Sequence, residues 1–336
     1  MKVFTTLGDG IAALKLEERP IPAPGPDEVL VKMTAAALNF RDLLVINGVG
    51  GWRPSAPRIP MSDGVGVIVG VGTQVTRFQT GSRVAGTFNP NWLDGECTAE
   101  KTTDALGSAS ADGVAAEYRV FNEQAVVAVP NHLTDVEAAT LPDSAVTAWH
   151  AVHCRSLVQK GDRVLIQGTG GVSTFALLFV HALGGTTIVL SSSDEKLEKV
   201  RALGAADLIN YKRTPAWEEE VLRLTGGRGV DHVIEVVGGE NLNRSLKAVR
   251  VSGTISFIGA LAGASAVVNT LQIAAKNASI HGIDTGSREM FEKMNRFIAS
   301  HQLRPALDKK FAFSEFPQAL TYLASGQQFG KVSVVF

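Results

Sequence analysis

A glycine-rich turn follows a short apolar run near the middle of the chain. The run, 164–167, is typical of a strand buried on both faces, and Gly168-Thr169-Gly170-Gly171-Val172-Ser173 comes directly after it. We expect a helix over 172–183, stopped by Gly184 and Gly185, and a second strand over 186–190. The glycines therefore lie where a strand gives way to a helix, and backbone N–H groups and the helix dipole favour an anion there.

This arrangement predicts a dinucleotide-binding site. The pattern G-x-G-x-x-G ends on Ser173, which is small enough for close packing of the helix on the strand. We predict that Gly168, Gly170, Gly171 and Val172 hold a pyrophosphate. The alternative is an ordinary strand-to-helix turn without a ligand.

The residues after the second strand indicate which dinucleotide binds. Units that bind NAD carry an acid there, which bonds to the ribose 2′-hydroxyl and repels the extra phosphate of NADP. This chain has Ser191 and Ser192, followed by Lys196, so we expect NADPH in preference to NADH. Ser192 and Glu195 also fit a capping box at the start of a helix, and the two interpretations are compatible.

Length, charge and composition limit the remaining function classes. The 336 residues suffice for two domains, and the net charge of −1 without a long basic run predicts no nucleic-acid partner. No apolar run is long enough to span a membrane and the first residues begin no signal peptide, so we expect a soluble cytoplasmic protein with a small-molecule substrate. Cys97 and Cys154 lie far apart and predict neither a disulfide framework nor a zinc ribbon.

Strands and helices alternate through the second half of the chain, which predicts a doubly wound parallel sheet of six strands. Beyond the first two strands we expect strands at 207–210, 230–237, 254–258 and 279–283. The expected helices between them are 194–203, 217–224 and 241–251.

The N-terminal third has a different pattern, typical of an antiparallel, barrel-like β domain. A proline-rich stretch is followed by short strands cut by glycine, at 28–33, 65–71, 83–86 and 115–121. A C-terminal helix, 288–300, and a last strand, 332–336, are too small to fold alone and are expected to rejoin this domain. We therefore predict an α/β protein with a discontinuous β domain, 1–125 plus 287–336, and an inserted dinucleotide-binding domain, 126–286.

Several motifs in this order resemble the medium-chain dehydrogenase/reductase superfamily over essentially the whole chain. Besides the glycine turn, they are Leu-Asn-Phe-Arg-Asp at 38–42, Gly-Ser-Arg-Val-Ala-Gly at 81–86, Val-Thr-Ala-Trp at 146–149, Leu-Gly-Ala at 203–205, Ile-Asn-Tyr at 209–211 and Gly-Lys-Val at 330–332. The resemblance implies a GroES-like catalytic β domain, a Rossmann domain and hydride transfer with a nicotinamide cofactor.

The resemblance also bears on zinc. Zinc-dependent members hold a catalytic ion with a Cys, a His and a Cys, and the matching places in this chain are Asn39, Ser62 and Asp143. The lobe that carries a structural zinc falls near 88–112, where Cys97 is the one cysteine. We therefore expect no zinc, and the chain resembles the zinc-independent branch of quinone oxidoreductases and enoyl reductases, whose members are often named zinc-type alcohol dehydrogenase-like.

Individual residues take roles from this resemblance. Asn39 is similar to an asparagine beside the nicotinamide, Thr147 to a threonine over its ring, and Tyr211 to a tyrosine near the adenosine 2′-phosphate. Each residue also has a structural alternative. Asn39 could instead cap a helix over 40–45. Thr147 could be an ordinary buried threonine, and Tyr211 could cover the sheet edge. The predicted cofactor-binding set is Gly168, Gly170, Gly171, Val172, Ser191, Ser192, Lys196, Tyr211, Gly259 and Lys331.

Without zinc, hydrogen-bond donors have to stabilise the charge that develops on the substrate oxygen, and Asn39 and backbone N–H groups are the candidates. Ser62, Asp63 and Asp143 lie in the predicted substrate pocket, but a carboxyl donates a proton only if burial raises its pKa. The sequence therefore names no proton donor. Related quinone reductases have a tyrosine where this chain has Val-Gly-Gly-Trp at 49–52, which argues against quinones. Trp52, with Val45 and Phe88, is instead expected to line an apolar pocket for an enone, ketone or aldehyde.

The leading hypothesis is an NADPH-dependent, zinc-independent reductase of a small hydrophobic carbonyl compound. A reversible NADP-dependent alcohol/ketone dehydrogenase is the second hypothesis, and a non-catalytic NADPH-binding sensor or structural protein is the third. We also expect a homodimer, because the strand predicted at 279–283 would leave a sheet edge open to a second subunit.

Overall fold

The computed structural model describes all 336 residues, which form two compact units. The first unit comprises Met1–Val146 and Thr285–Phe336, and the second comprises Thr147–Asp284. The first unit is thus built from both ends of the chain. Residues 126–146, which the sequence analysis assigned to the dinucleotide-binding domain, belong to the first unit.

The first unit contains a seven-stranded, mostly antiparallel sheet. Its strands, in spatial order, are Leu307–Ala312, Lys331–Val335, Glu28–Ala37, Asp63–Val71, Arg83–Gly86 and Val126–Ala128, with Tyr118–Asn122 paired to Glu28–Ala37. A separate hairpin pairs Lys2–Thr5 with Lys15–Glu18. The predicted GroES-like β domain is confirmed, although the strand expected at 115–121 begins at Tyr118, and strand 307–312 has too mixed a composition to be recognised from the sequence.

The last strand of the chain is held against the strand Glu28–Ala37. Val334 lies opposite Ala36 in an antiparallel pair, and the N–H of Leu38 donates to the carbonyl of Val332 at 2.9 Å. Ala35, Ala36 and Ala37 are fully buried, and their small side chains let the neighbouring elements approach closely. This pairing brings residue 331 beside residues 38 and 39, which is the basis of the site described below.

Helical segments of the first unit lie around this sheet. The helices are Phe40–Ile46, Ala99–Thr102, Asp135–Ala138, Arg288–Ser300 and Phe316–Ala324, and Leu141–Ala145 forms one π-helical turn before the short helix Val146–Trp149. Aromatic rings from both ends of the chain pack in the core, where Phe4 lies 5.1 Å from both Phe313 and Phe316 between ring centroids. The C-terminal segment therefore shares a core with the N-terminal segment, as the sequence predicted.

The second unit is a six-stranded parallel sheet with helices between successive strands. In spatial order the strands are Asp207–Asn210, Thr186–Ser191, Arg163–Gln167, Val230–Glu235, Val249–Phe257 and Ser279–Gly282. The helices are Gly171–Ala182, Asp194–Ala202, Trp217–Leu224, Asn241–Ala248 and Thr270–Lys276. This is the strand order of a Rossmann domain, and it confirms the predicted doubly wound sheet.

One predicted boundary in this unit is wrong. The helix expected over 241–251 ends at Ala248, and Val249 already pairs with Val230 in the sheet. Val249 is fully buried and β-branched, so it is better accommodated in a strand than in another helical turn.

None of the helices combines the length and the apolar character needed to cross a membrane.

Candidate active site

Six polar side chains of the first unit form what we call the polar cluster, which comprises Asn39, Ser62, Asp63, Asp143, Ser144 and Lys331. Four segments bring them together, one of which is the π-helical turn Leu141–Ala145 that carries Asp143 and Ser144. Asn39 follows the strand Glu28–Ala37, Asp63 opens the neighbouring strand opposite Ala37, and Lys331 opens the last strand of the chain. All of them except Asp143 are buried.

The ammonium group of Lys331 lies at the centre of the polar cluster. It donates to Oδ1 of Asn39, which is its shortest contact, and to Oγ of Ser144 at 3.3 Å, and it lies 3.4 Å from Oδ2 of Asp63. Only 3% of the Lys331 side chain and none of Asp63 is exposed. Buried charges persist when they are paired and hydrogen-bonded, so the ammonium and the carboxylate stabilise one another.

These contacts fix the orientation of the Asn39 amide. Its Oδ1 accepts from Lys331 and, at 3.2 Å, from Oγ of Ser144, and its Nδ2 donates to Oγ of Ser62 at 3.3 Å. Ser62 in turn donates to Oδ1 of Asp63 at 2.8 Å. Asn39 does stand at the N-cap of the helix Phe40–Ile46, as one interpretation expected, but these side-chain bonds belong to the polar cluster.

Two charged residues of that helix lie beside the polar cluster. Asp42 accepts from the backbone N–H of Asn39 at 2.8 Å and is fully buried, and burial raises its pKa to about 6. Arg41 is nine-tenths buried, donates to the carbonyl of Leu106, and stacks its guanidinium 4.4 Å from the ring centre of Phe88. The polar cluster therefore lies in a field set by two cations and three carboxyl groups.

Asp143 occupies the π-helical turn Leu141–Ala145. Its backbone N–H donates to Oδ2 of Asp63 at 3.3 Å, and the residue, unlike the other members of the polar cluster, is only partly buried. Desolvation and the charge of Asp63 raise the pKa of Asp143 well above its ordinary value, to about 7, although Lys331 and Arg41 oppose the shift. Single π-helical turns recur at functional sites because they re-aim one side chain.

The glycine turn of the second unit fits a pyrophosphate. Gly168 has a φ of 75°, which favours glycine, and Gly170 begins the helix Gly171–Ala182 without a side-chain cap, so the first N–H groups of the helix are left for a ligand. Ser173 is buried and donates to the carbonyl of Gln167 at 2.7 Å, which holds the helix close to the strand as predicted. A bound dinucleotide would meet backbone donors here.

The sequence analysis missed a buried acid near this turn. Glu235 ends its strand fully buried and accepts from Nε2 of Gln167 at 2.8 Å and from the N–H groups of Val237 and Gly238 at 2.9 and 3.0 Å. A Cβ on Gly259 would lie 2.3 Å from the carbonyl oxygen of Val236, so the loop beside it needs glycine. The available signal was an acid directly after the apolar pair Val233-Ile234 near the end of a predicted strand.

At the end of the second strand, Ser191 is buried and its Oγ accepts from the N–H of Ser193 at 3.3 Å. The capping box considered for Ser192 and Glu195 is wrong by one residue: Ser193 is the N-cap and accepts from the N–H of Lys196 at 3.3 Å. The helix begins at Asp194, where it was expected, and Ser193 has the extended backbone of its N-cap.

The surroundings of this strand end are mixed in charge. Asp194 is paired with Arg213 and accepts from Nδ2 of Asn210 at 2.7 Å, so its charge is partly neutralised. Lys196 is partly exposed and Tyr211 is 42% exposed. Contact of either side chain with an adenosine 2′-phosphate stays a prediction.

The structure does not bring the predicted residues Thr147 and Trp52 into the polar cluster. Thr147 is buried in the helix Val146–Trp149 of the chain. Trp52 is 39% exposed at the end of a short 3₁₀ turn in the first unit, whereas Val45 and Phe88 are buried. The structure thus assembles Asn39, Ser62, Asp63, Asp143 and Lys331, and the roles of Thr147 and Trp52 stay predictions.

The polar cluster does not fit a zinc ion. It contains neither cysteine nor histidine, the ligands that zinc prefers in this class of site, and the ammonium of Lys331 already pairs with Asp63 and would repel a second cation there. No group of three or more His, Cys, Asp or Glu side chains in the structure is arranged to hold a metal ion.

Two family models match the chain. A model described as alcohol dehydrogenase GroES-like domain matches residues 25–131, and one described as zinc-binding dehydrogenase matches 171–300. A zinc-type alcohol dehydrogenase-like protein of Schizosaccharomyces pombe is 42% identical over 330 residues, which cover 96% of this chain and 95% of the relative. Together with the fold, these matches show that the chain belongs to the medium-chain dehydrogenase/reductase superfamily and is an oxidoreductase.

Two solved structures share the fold of this chain over nearly its whole length. A crystal structure named for an alcohol dehydrogenase of Sinorhizobium meliloti 1021 has a TM-score of 0.93 and 41% identity, covering 100% of this chain and 98% of that one. A 2-octenoyl-CoA carboxylase reductase, in complex with NADP and 2-octenoyl-CoA, has a TM-score of 0.87 and 26% identity, covering 99% and 87%. The hypothesis of a non-catalytic nucleotide-binding protein has no support among these relatives.

Proposed function

We propose that the protein is an NADPH-dependent reductase of a small hydrophobic carbonyl compound, in particular one with a conjugated C=C bond, and that it works without zinc. The observation that carries this proposal is the buried ammonium of Lys331 within the polar cluster, hydrogen-bonded to Asn39. A fixed positive charge at the places that match the zinc ligands of related enzymes supplies electrostatic stabilisation without a metal.

Asn39 is the residue that we expect to contact the substrate oxygen. Its Oδ1 is held by Lys331 and Ser144, which fixes the amide plane and polarises the Nδ2–H bonds. One of those hydrogens goes to Ser62, and the other remains to be donated to an oxygen on which negative charge develops. Preorganised donors of this kind contribute to rate because they need no reorganisation in the transition state.

The preference for NADPH is supported by the end of the strand Thr186–Ser191. Residues 191–193 include no acid that would repel a 2′-phosphate, and the nearby Asp194 is paired with Arg213. Ser192, Lys196 and Tyr211 offer donors to such a phosphate. When bound, the reduced nicotinamide supplies a hydride. Among the solved structures, the 2-octenoyl-CoA carboxylase reductase is in complex with NADP and another is named as an NAD-dependent alcohol dehydrogenase, so the preference rests on the residues of this strand end.

A reversible alcohol/ketone dehydrogenase is the second candidate, because the S. pombe and S. meliloti relatives are named as alcohol dehydrogenases or as similar to them. The two candidates are separated by their substrates. We expect NADPH oxidation with octenal or cyclohexenone and a negligible rate of NADP⁺ reduction with secondary alcohols. Oxidation of secondary alcohols would favour the second candidate, and no NADPH oxidation with enals, enones, quinones or aldehydes would contradict the first.

A further inference from the structure

The exposure of Asp143 sets it apart from its neighbours. Asp42 and Asp63 are fully buried, Asn39 and Lys331 are nearly so, and Asp143 is the one of the three aspartates that is only partly buried. A group that passes a proton to a substrate has to contact the substrate and then recover the proton from water. Of the three aspartates, Asp143 is the one whose partial exposure is compatible with both conditions.

The local backbone holds Asp143 in this place. The π-helical turn Leu141–Ala145 contains Pro142, and its N–H at residue 143 is tied to Oδ2 of Asp63 at 3.3 Å. Asp63 is itself fixed by Lys331 at 3.4 Å and by Ser62 at 2.8 Å. The backbone of Asp143 is therefore tied to the buried ion pair of the polar cluster.

The charged groups around Asp143 come from three elements. Asp63 faces it from one strand, Lys331 from the last strand, and Arg41 and Asp42 from the helix Phe40–Ile46. With Asp42, Asp63 and Asp143 all ionised, this group of five carries a net charge of −1, and one bound proton makes it neutral. A buried site favours the neutral state, so one exchangeable proton is expected to remain here near neutral pH.

We propose that Asp143 is the proton donor of the reduction, an inference that rests on the proposed reductase function. With a reduced nicotinamide bound as the hydride source, and oxidised in the reaction, hydride addition to the β-carbon of a conjugated substrate would give an enolate. The O–H bond of Asp143 would then break as its proton forms a C–H bond at the α-carbon, which gives the saturated carbonyl product. The Asp143 carboxylate would regain a proton from water.

The test compares the wild-type enzyme with Asp143→Asn, and uses Asp112→Asn as a matched control. Asp112 lies in the same unit, is also partly exposed, and bonds to the N–H of Ile59 away from the polar cluster. With octenal and cyclohexenone as probes, we expect Asp143→Asn to lower kcat by about 100-fold or more with an unchanged NADPH dissociation constant. Asp112→Asn should keep the wild-type rate.

Two further measurements separate a chemical role from a structural one. The wild-type kcat should fall as pH rises through about 7, and Asp143→Asn should lose this limb. Independently of turnover, infrared difference spectra of the free protein should show a carboxyl group that titrates in this range and is missing in Asp143→Asn. Retention of the rate and the high-pH limb by Asp143→Asn would overturn this inference alone, whereas a wild-type protein without turnover would overturn the proposed function.

Discussion

The Nζ atom of Lys331 and the Oδ2 atom of Asp63 lie 3.4 Å apart in the interior of the first unit, where 3% and 0% of the two side chains are exposed. Lys331 begins the last strand of the chain and Asp63 begins a strand near its start. The ion pair thus joins the two ends of the chain at the polar cluster, and it links the stability of the first unit to the integrity of the candidate site.

We expect Lys331→Met to destabilise the first unit. The substitution leaves the Asp63 carboxylate buried without its partner, and breaking a buried pair in this way costs about 3–5 kcal/mol. Urea unfolding near neutral pH measures the loss. The double variant Lys331→Met/Asp63→Asn should recover a large part of it, because no uncompensated charge remains, and equal stabilities of the single and double variants would contradict the role of the pair.

Lys196→Ala should weaken NADPH binding and leave NADH binding unchanged. Loss of one charge-assisted hydrogen bond to the 2′-phosphate corresponds to an increase of about 10-fold or more in the NADPH dissociation constant. Isothermal titration with both cofactors gives the two constants, and Lys160→Ala, at an exposed lysine of the same unit, is the control. Equal weakening of both cofactors would count against a 2′-phosphate contact at Lys196.

Gly170→Ala should affect cofactor binding far more than folding. A Cβ on Gly170 meets nothing within 4 Å, and the φ of −81° is one that alanine adopts readily. We therefore expect the free protein to change in stability by less than about 1 kcal/mol, while the methyl group keeps the pyrophosphate from the backbone and raises the NADPH dissociation constant about 10-fold or more. Thermal unfolding with and without NADPH measures both effects, and Gly51→Ala, which is equally unhindered, should bind as the wild type does.

Asp42→Asn should stabilise the protein at alkaline pH and have little effect in acid. Burial raises the pKa of Asp42 to about 6, so the folded state binds the proton of the Asp42 carboxyl group more tightly than the unfolded state does. The contribution of this bound proton to the free energy of unfolding is therefore lost as pH rises through about 6. Asparagine is neutral at every pH, so the free energy of unfolding of the variant should exceed that of the wild type only slightly at about pH 4 and by on the order of 1–3 kcal/mol at about pH 8. Urea unfolding at both pH values gives the difference, and a gain independent of pH would contradict the assignment.

The strand Ser279–Gly282 is proposed to pair with its counterpart in a second subunit. It pairs with Val249–Phe257 on one side only, and since the N–H of Ile283 donates to Phe257, alternation along the strand turns the N–H of Gly282 to the open edge. Light scattering should report about twice the 35.5-kDa chain mass, and Gly282→Pro should shift it towards one subunit while Gly282→Ala does not. A wild-type protein with the mass of one chain would overturn the proposal.

Much of the fold followed from local patterns. The glycine turn, the strand before it and the helix after it were predicted because backbone conformation and apolar periodicity are properties of short segments. The ends of elements were less predictable: Val249 continues the sequence of a helix but pairs in a strand, and Ser193 takes the cap that Ser192 was expected to supply. In both cases tertiary packing selected between local conformations of similar energy.

By itself the sequence determined that a parallel sheet carries a glycine turn without an acid at the adjoining strand end, and that the zinc ligands of related enzymes are replaced. Only the tertiary structure decided that Lys331 donates to Asn39, from which it is 292 residues distant along the chain, and that Asp143 keeps access to solvent beside a buried Asp63. The reason is that hydrogen bonds, burial and pKa shifts depend on which segments meet in space, and residues so far apart share no local pattern that records their contact.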